Sequence, residues 1–115
     1  FPREECYSLA KRQEPLDLAP YITELKRLHA ELGDEICCLI TEPYLGGGGS
    51  FHPQKEYMQL LERFCRKHDI LLIFDEIITG AGRTGRMFAA ETFGVIPDAI
   101  CTGKGISGGF LPISA

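Results

Sequence analysis

The residues best suited to chemistry stand at the ends of three short apolar runs. ICCLITEP, residues 36–43, ends on Glu42; LLIFDEIITGAGRTG, residues 71–85, runs directly into Asp75 and Glu76 and then into a glycine-rich loop; CTGKGISGG, residues 101–109, sets Lys104 between two glycines. A carboxylate that closes an apolar strand keeps its charge at the rim of a sheet, where ligands of parallel α/β proteins bind. The interval from Asp75 to Lys104 is about one strand-helix-strand unit, so a single crossover would bring an acid and an amine to one pocket. The plainer reading makes Asp75 a turn cap and Lys104 a solvated loop lysine. Glycines on both sides of Lys104 weigh against it, because they leave the amine unshielded and let a ligand approach the backbone.

Those positions require a particular set of elements. Residues 1–19 carry Pro2 and Pro15 without clean periodicity and read as an irregular opening segment, and residues 20–115 read as one partial domain. After Asp17 and Pro20, the apolar residues Ile22, Leu25, Leu28 and Leu32 recur at helical spacing until Gly33. A strand over Ile36–Pro43 ends near Glu42, and four consecutive glycines make the next segment a loop. Pro53 suits the first turn of a second helix, with Tyr57, Leu60, Leu61, Phe64 and Cys65 on one face opposite Lys55, Glu56, Glu62, Arg63 and Lys67. Asp69 ends it. ILLIF then reads as a parallel strand covered on both faces. A short helix from Arg86 to Phe93, a turn at Pro97-Asp98, a third strand AICT and a glycine-rich loop over Gly103–Gly109 complete the order. Strand, helix, strand, helix, strand predicts a right-handed parallel α/β layer.

Composition narrows the function classes. The chain is 44% hydrophobic and 24% charged, an ordinary globular balance. A formal charge of −4, with no long single-sign run, gives no footprint for nucleic acid or an anionic membrane, and no apolar run approaches the length of a membrane span. The 5 cysteines are odd in number and include no C-x-x-C, so neither a disulfide framework nor a zinc knuckle is expected and a reducing compartment, cytoplasmic or organellar, fits best. His29, His52 and His68 lie on or beside helices without ligand spacing, and no nucleophile elbow supports a hydrolase. The opening Phe-Pro-Arg-Glu has neither an initiator Met nor the order of a signal peptide, so the chain reads as a piece of something longer.

Two literal motif matches fail on context. GAGRTG, Gly80–Gly85, satisfies G-x-G-x-x-G, but Asp75, Glu76 and Thr79 intervene after the strand and Arg83 stands inside the loop. GKG at Gly103–Gly105 lacks the Ser or Thr of a phosphate loop, and no glycine stands at the required distance upstream.

EPYLGGGG, LLIFDEIITGAGRTGRMFAAETFGVIPD and CTGKGISGGFLPISA together resemble, in order and spacing over about residues 20–115, the class-III pyridoxal-phosphate-dependent aminotransferases, the group with ornithine, 4-aminobutyrate and ω-amino acid transaminases. The resemblance implies the large domain of a fold-type I transferase that moves an amino group from a small-molecule donor to a keto or aldehyde acceptor, as a homodimer in the intact protein. It implies that Asp75 holds the protonated ring nitrogen of pyridoxal 5'-phosphate and that Ile77, of the same strand parity, lies against the ring. Lys104 would bind the cofactor aldehyde as a Schiff base and, once displaced, move the substrate proton, for which its free amine must be neutral. Glu42 matches the family's Glu-Pro and would fix the cofactor edge, Glu76 would orient loops, and Arg83 would support the rim.

Two departures bear on substrate. Ile78 stands where many members carry Gln, removing a polar contact near the cofactor's ring oxygen, and Gly47 stands where ornithine- and 4-aminobutyrate-type enzymes carry a second Glu. The match omits the family's phosphate-binding turn, ring-stacking aromatic, partner-subunit Thr and substrate-carboxylate arginine, so the chain alone is expected to be inactive. Aminomutases, racemases and lyases of the same fold share the Asp and Lys and remain open at this point, as does a non-catalytic fragment.

Overall fold

A computed structural model of the chain describes residues 14–47, 49–51 and 53–115. Most of the predicted opening segment, and His52, lie outside the described residues. Helix α1 spans Ala19–Leu32, with Pro20 in its first turn and the Ala19 N–H donating to the Asp17 carboxylate at 3.0 Å. Strand β1 is Cys38–Thr41, helix α2 is Lys55–Lys67, strand β2 is Leu71–Asp75, helix α3 is Ala89–Phe93 and strand β3 is Ala99–Cys101.

Helix α2 begins later than Pro53 suggested. Gln54 is the extended N-cap and Pro53 precedes it, because helical backbone starts only at Lys55. Its far end is as expected: Asp69 takes a left-handed turn at φ +55° and the chain enters β2. Helix α3 starts at Ala89 rather than Arg86. Phe88 is extended, and the N–H groups of Ala89 and Ala90 donate to the buried carboxylate of Glu76, which defines where the helix can begin.

The strands form a parallel sheet in the order β1-β2-β3. Paired residues share a face, so Leu39, Leu72, Thr41, Phe74 and Ile100 lie on one side and Cys38, Leu71, Ile40, Ile73, Ala99, Asp75 and Cys101 on the other. The first side is the core. Leu72 and Phe74 are fully buried there with Tyr57, Leu61 and Cys65 of α2, Phe93 of α3 and Tyr21 of α1. The second side is open: Ile40 is 60% and Leu71 is 55% exposed. Of the two faces expected to be covered, the described residues cover one. The apolar run reflects a second apolar face that no described residue covers.

Polar contacts set the register of this layer. The Leu72 N–H donates to the Asp98 carboxylate and the Asp98 N–H to the Leu72 carbonyl, both at 2.8 Å, which fixes the start of β3 beside β2. Glu62 and Arg66 of α2 hold the two backbone groups of Ile96, and Gln59 donates to the Phe93 carbonyl. His29 and His68 stack at a ring-centroid distance of 3.9 Å beside Phe64, so two of the histidines pack the ends of α1 and α2 against each other.

Candidate active site

Because the sheet is parallel, the chain delivers Glu42, Asp75 and Lys104 to the same rim. Asp75 is the last residue of β2, paired with Cys101 at the end of β3. Its side chain turns back on its own backbone: Oδ1 accepts the Ile77 N–H at 3.1 Å, an Asx turn that holds the carboxylate in one orientation. Asp75 is half-buried, not enclosed.

Past β3, Gly103 is buried and leads into a 3₁₀ turn over Lys104–Ser107. A Cβ on Gly103 would stand 3.4 Å from Cγ2 of Ile77, so the side chain of Ile77 lies against the backbone just before Lys104. Ile77, whose N–H the Asp75 carboxylate holds, therefore packs on the glycine that precedes Lys104. Lys104 itself has φ +43°, a conformation L side chains rarely adopt, and it is exposed. Among the described residues no ion pair joins its amine to Asp75. The loop is closed at its base, where Thr102 and Ala115 exchange two backbone hydrogen bonds of 2.6 and 3.0 Å.

Glu42 and Ile78 form a separate group. Glu42 Oε2 accepts the Gly46 N–H at 2.9 Å, and the side chain of Ile78 lies over Gly46 where a Cβ would project. Both residues thus shape the loop that follows β1. Arg83 is exposed, with Nε 3.6 Å from the Cβ position of Gly105, beside Lys104.

Glu76 has a different character from its neighbour. It is 0% exposed, and its carboxylate accepts from Ala89 N–H at 2.6 Å, Ala90 N–H at 2.9 Å and the Thr79 hydroxyl at 2.9 Å. Its lone pairs are spent on the start of α3 and on the turn that follows β2. Of the adjacent pair, Glu76 builds the loop and Asp75 faces the open side of the sheet. Gly103 stood out from sequence as a neighbour of Lys104, but the packing of Ile77 on it and of Ile78 on Gly46 had no sequence signal.

A strand-ordered parallel layer with an acid and a glycine-flanked lysine on its carboxyl rim has the architecture of fold-type I pyridoxal-phosphate-dependent transferases. The profile of the class-III aminotransferase family matches residues 5–115, and the chain belongs to that family. The acetylornithine aminotransferase of Agrobacterium fabrum is 47% identical over 89% of this chain, and the omega-aminotransferase of Caulobacter vibrioides is 47% identical over 85%. The chain spans 25% and 22% of those two relatives, about a quarter of their length. Among solved structures, an amine transaminase from an uncultivated Pseudomonas species in its PLP-bound form superposes with a TM-score of 0.83 at 37% identity, over 96% of this chain and 25% of that one. The family is one of pyridoxal phosphate enzymes.

Proposed function

We propose that this chain supplies the cofactor-linking lysine and the ring-nitrogen carboxylate of a transaminase that exchanges an amino group between an amino donor and a keto or aldehyde acceptor. The observation that carries the reading is that Asp75 and the loop bearing Lys104 leave neighbouring strands at the same rim, with Ile77 packed on Gly103 beside them. The residues present suit pyridoxal 5'-phosphate: an oriented carboxylate, an apolar side chain packed beside the lysine loop, and an amine flanked by glycines that add no bulk. The cofactor, when bound, supplies an aldehyde and an electron sink whose strength depends on a protonated ring nitrogen.

Asp75 is the residue for that proton. With Oδ1 held by the Ile77 N–H, Oδ2 is left to accept a charge-assisted hydrogen bond from a ring N–H, and the Asx turn keeps it aimed without further reorganisation. Ile77 presents hydrocarbon to a planar ring and keeps water from that face. Lys104 Nζ would be the nucleophile toward the cofactor's aldehyde and, as a free amine, the base that takes a proton from the substrate carbon and returns it two atoms along, across the intervening nitrogen. The left-handed backbone at Lys104 carries a strain of about 1–2 kcal/mol, of the kind retained where a side chain must point in one direction. Glu42 acts through the loop: by holding Gly46 it sets the backbone on which Ile78 rests.

The same reading makes the intact enzyme a homodimer of a reducing compartment, cytoplasmic or organellar. Free thiols at Cys37, Cys38, Cys65 and Cys101 support the compartment. Among the described residues no helix is long and apolar enough to cross a membrane. Borohydride reduction of the holoenzyme, then proteolysis and mass mapping, tests the reading. The pyridoxyl group should sit on the peptide holding Cys101 to Phe110, and a label on any other lysine would overturn the assignment.

A further inference from the structure

Cys37 and Cys38 enter β1 from the turn that ends α1, and both are exposed. Consecutive residues of a pleated strand point to opposite faces. Here the pleat has not yet set in, and the Cys37 thiol donates to the Cys38 sulfur with the two Sγ atoms 3.9 Å apart. Two thiols on adjacent residues, side by side and open to solvent, make a short chelate.

Three chemistries could use such a pair, and geometry separates them. A disulfide joins Cα atoms about 4.4–6.8 Å apart, whereas a trans peptide fixes neighbouring Cα atoms at about 3.8 Å, so ring closure would be strained and readily reduced. A structural zinc needs four donors, and among the described residues no group of three or more His, Cys, Asp or Glu side chains is gathered for a metal. A centre that asks for two sulfurs and brings its own third substituent meets neither obstacle. A pyramidal trivalent atom bonded to both sulfurs needs them a few tenths of an ångström closer than the 3.9 Å seen here, a shift that rotation of two exposed side chains can supply.

We propose that Cys37 and Cys38 form a dithiol site that captures trivalent organoarsenicals of the type R–As(OH)₂ as a bidentate chelate. Two S–H and two As–O bonds break, two As–S bonds form, two waters leave, and arsenic stays trivalent, so no oxidant is required. The hydrogen bond from the Cys37 thiol, and then the nearness of that thiol, raise the pKa of Cys38. The other described thiols are not alternatives. Cys65 is buried, and Cys101 lies at the opposite end of the sheet from Cys38, roughly 13 Å away along the strand direction.

Phenylarsine oxide, titrated into the purified holoenzyme and followed by intact mass and peptide mapping, tests the site. The expected result is one phenylarsine bound per chain with loss of one water, mapped to Cys37 and Cys38, stripped by a dithiol but not by an equal concentration of a monothiol. Cys37→Ser and Cys38→Ser should each weaken capture at least about a hundredfold, the loss expected when a chelate becomes monodentate, while Cys6→Ser and Cys101→Ser keep it. Both altered side chains are exposed, so circular dichroism should be unchanged. Capture that survives either substitution, that maps to Cys6 or Cys101, or that a monothiol reverses would overturn the proposal. So would quantitative closure of a Cys37–Cys38 disulfide by glutathione disulfide at a cytosolic redox poise, since the argument holds that ring too strained to persist.

Discussion

The adjacent carboxylates Asp75 and Glu76 should respond oppositely to removal of their charge, and Glu76→Gln is the informative change. Glu76 is 0% exposed and receives three donors, at 2.6 to 2.9 Å. An amide can keep its oxygen where Oε2 accepts from Ala89 and Thr79, but its NH₂ then faces the Ala90 N–H, donor against donor. One charge-assisted bond is lost outright and two are weakened; with such bonds worth about 1.5–3 kcal/mol each, the substitution should cost about 2–4 kcal/mol. For a domain of this size, with a urea dependence of about 1.5 kcal/mol/M, the unfolding midpoint should fall by about 1.3–2.7 M. Asp75→Asn keeps an oxygen for the Ile77 N–H at a half-buried position, so its shift should stay within about 0.5 kcal/mol, or about 0.3 M. In the holoenzyme the ranking should invert: Asp75→Asn should slow transamination by orders of magnitude while leaving cofactor bound, because a neutral amide cannot stabilise a protonated ring nitrogen. Urea titrations followed by circular dichroism, with hydrogen exchange at Ala89 and Ala90, measure the first part. A Glu76→Gln midpoint within about 0.3 M of the parent, or an equal fall for Asp75→Asn, would refute the division of labour.

Gly80→Ala should destabilise by about 1–3 kcal/mol, since its Cβ would stand 2.8 Å from the carbonyl oxygen of Glu76, while Gly47→Ala, which meets nothing within 4 Å, should stay near neutral in the same titration. Burial, the neighbouring His29 and Lys67 lower the pKa of His68, so the fold favours its neutral form. The stability it contributes is present above the unfolded value of about 6.5 and is lost as the pH falls through and below it. The urea midpoint should therefore drop between about pH 7.5 and 5.5, less steeply in His68→Gln; an unchanged slope in that variant would remove His68 from the account. The open sheet face should make the 115-residue chain self-associate and bind a hydrophobic dye, and Ile40→Lys with Leu71→Lys should shift sedimentation toward monomer. An unshifted profile would place the contact elsewhere.

What could be read from the sequence alone was whatever repeats or ends locally. The apolar face of α2 follows a helical period, ILLIF is a strand by length and residue type, and glycines mark the loops after β1 and β3, so element order and the rim positions of Glu42, Asp75 and Lys104 were legible. Strand parity also separated Ile77 from Glu76 before any coordinates were known. Tertiary structure decided what depends on partners distant in the chain. The donors that fill Glu76 stand 13 and 14 residues away and fix the start of α3 at Ala89, which no local signal near Arg86 revealed. The stacking of His29 on His68 joins the ends of two helices. An apolar strand reads the same whichever elements lie over its faces, because side-chain type records what a face can bury and not what lies against it; only the fold showed which face α1, α2 and α3 cover. Lys104 was found by its glycines, but its left-handed backbone and the packing of Ile77 on Gly103 depend on how the chain folds beyond β3, which residue type does not record.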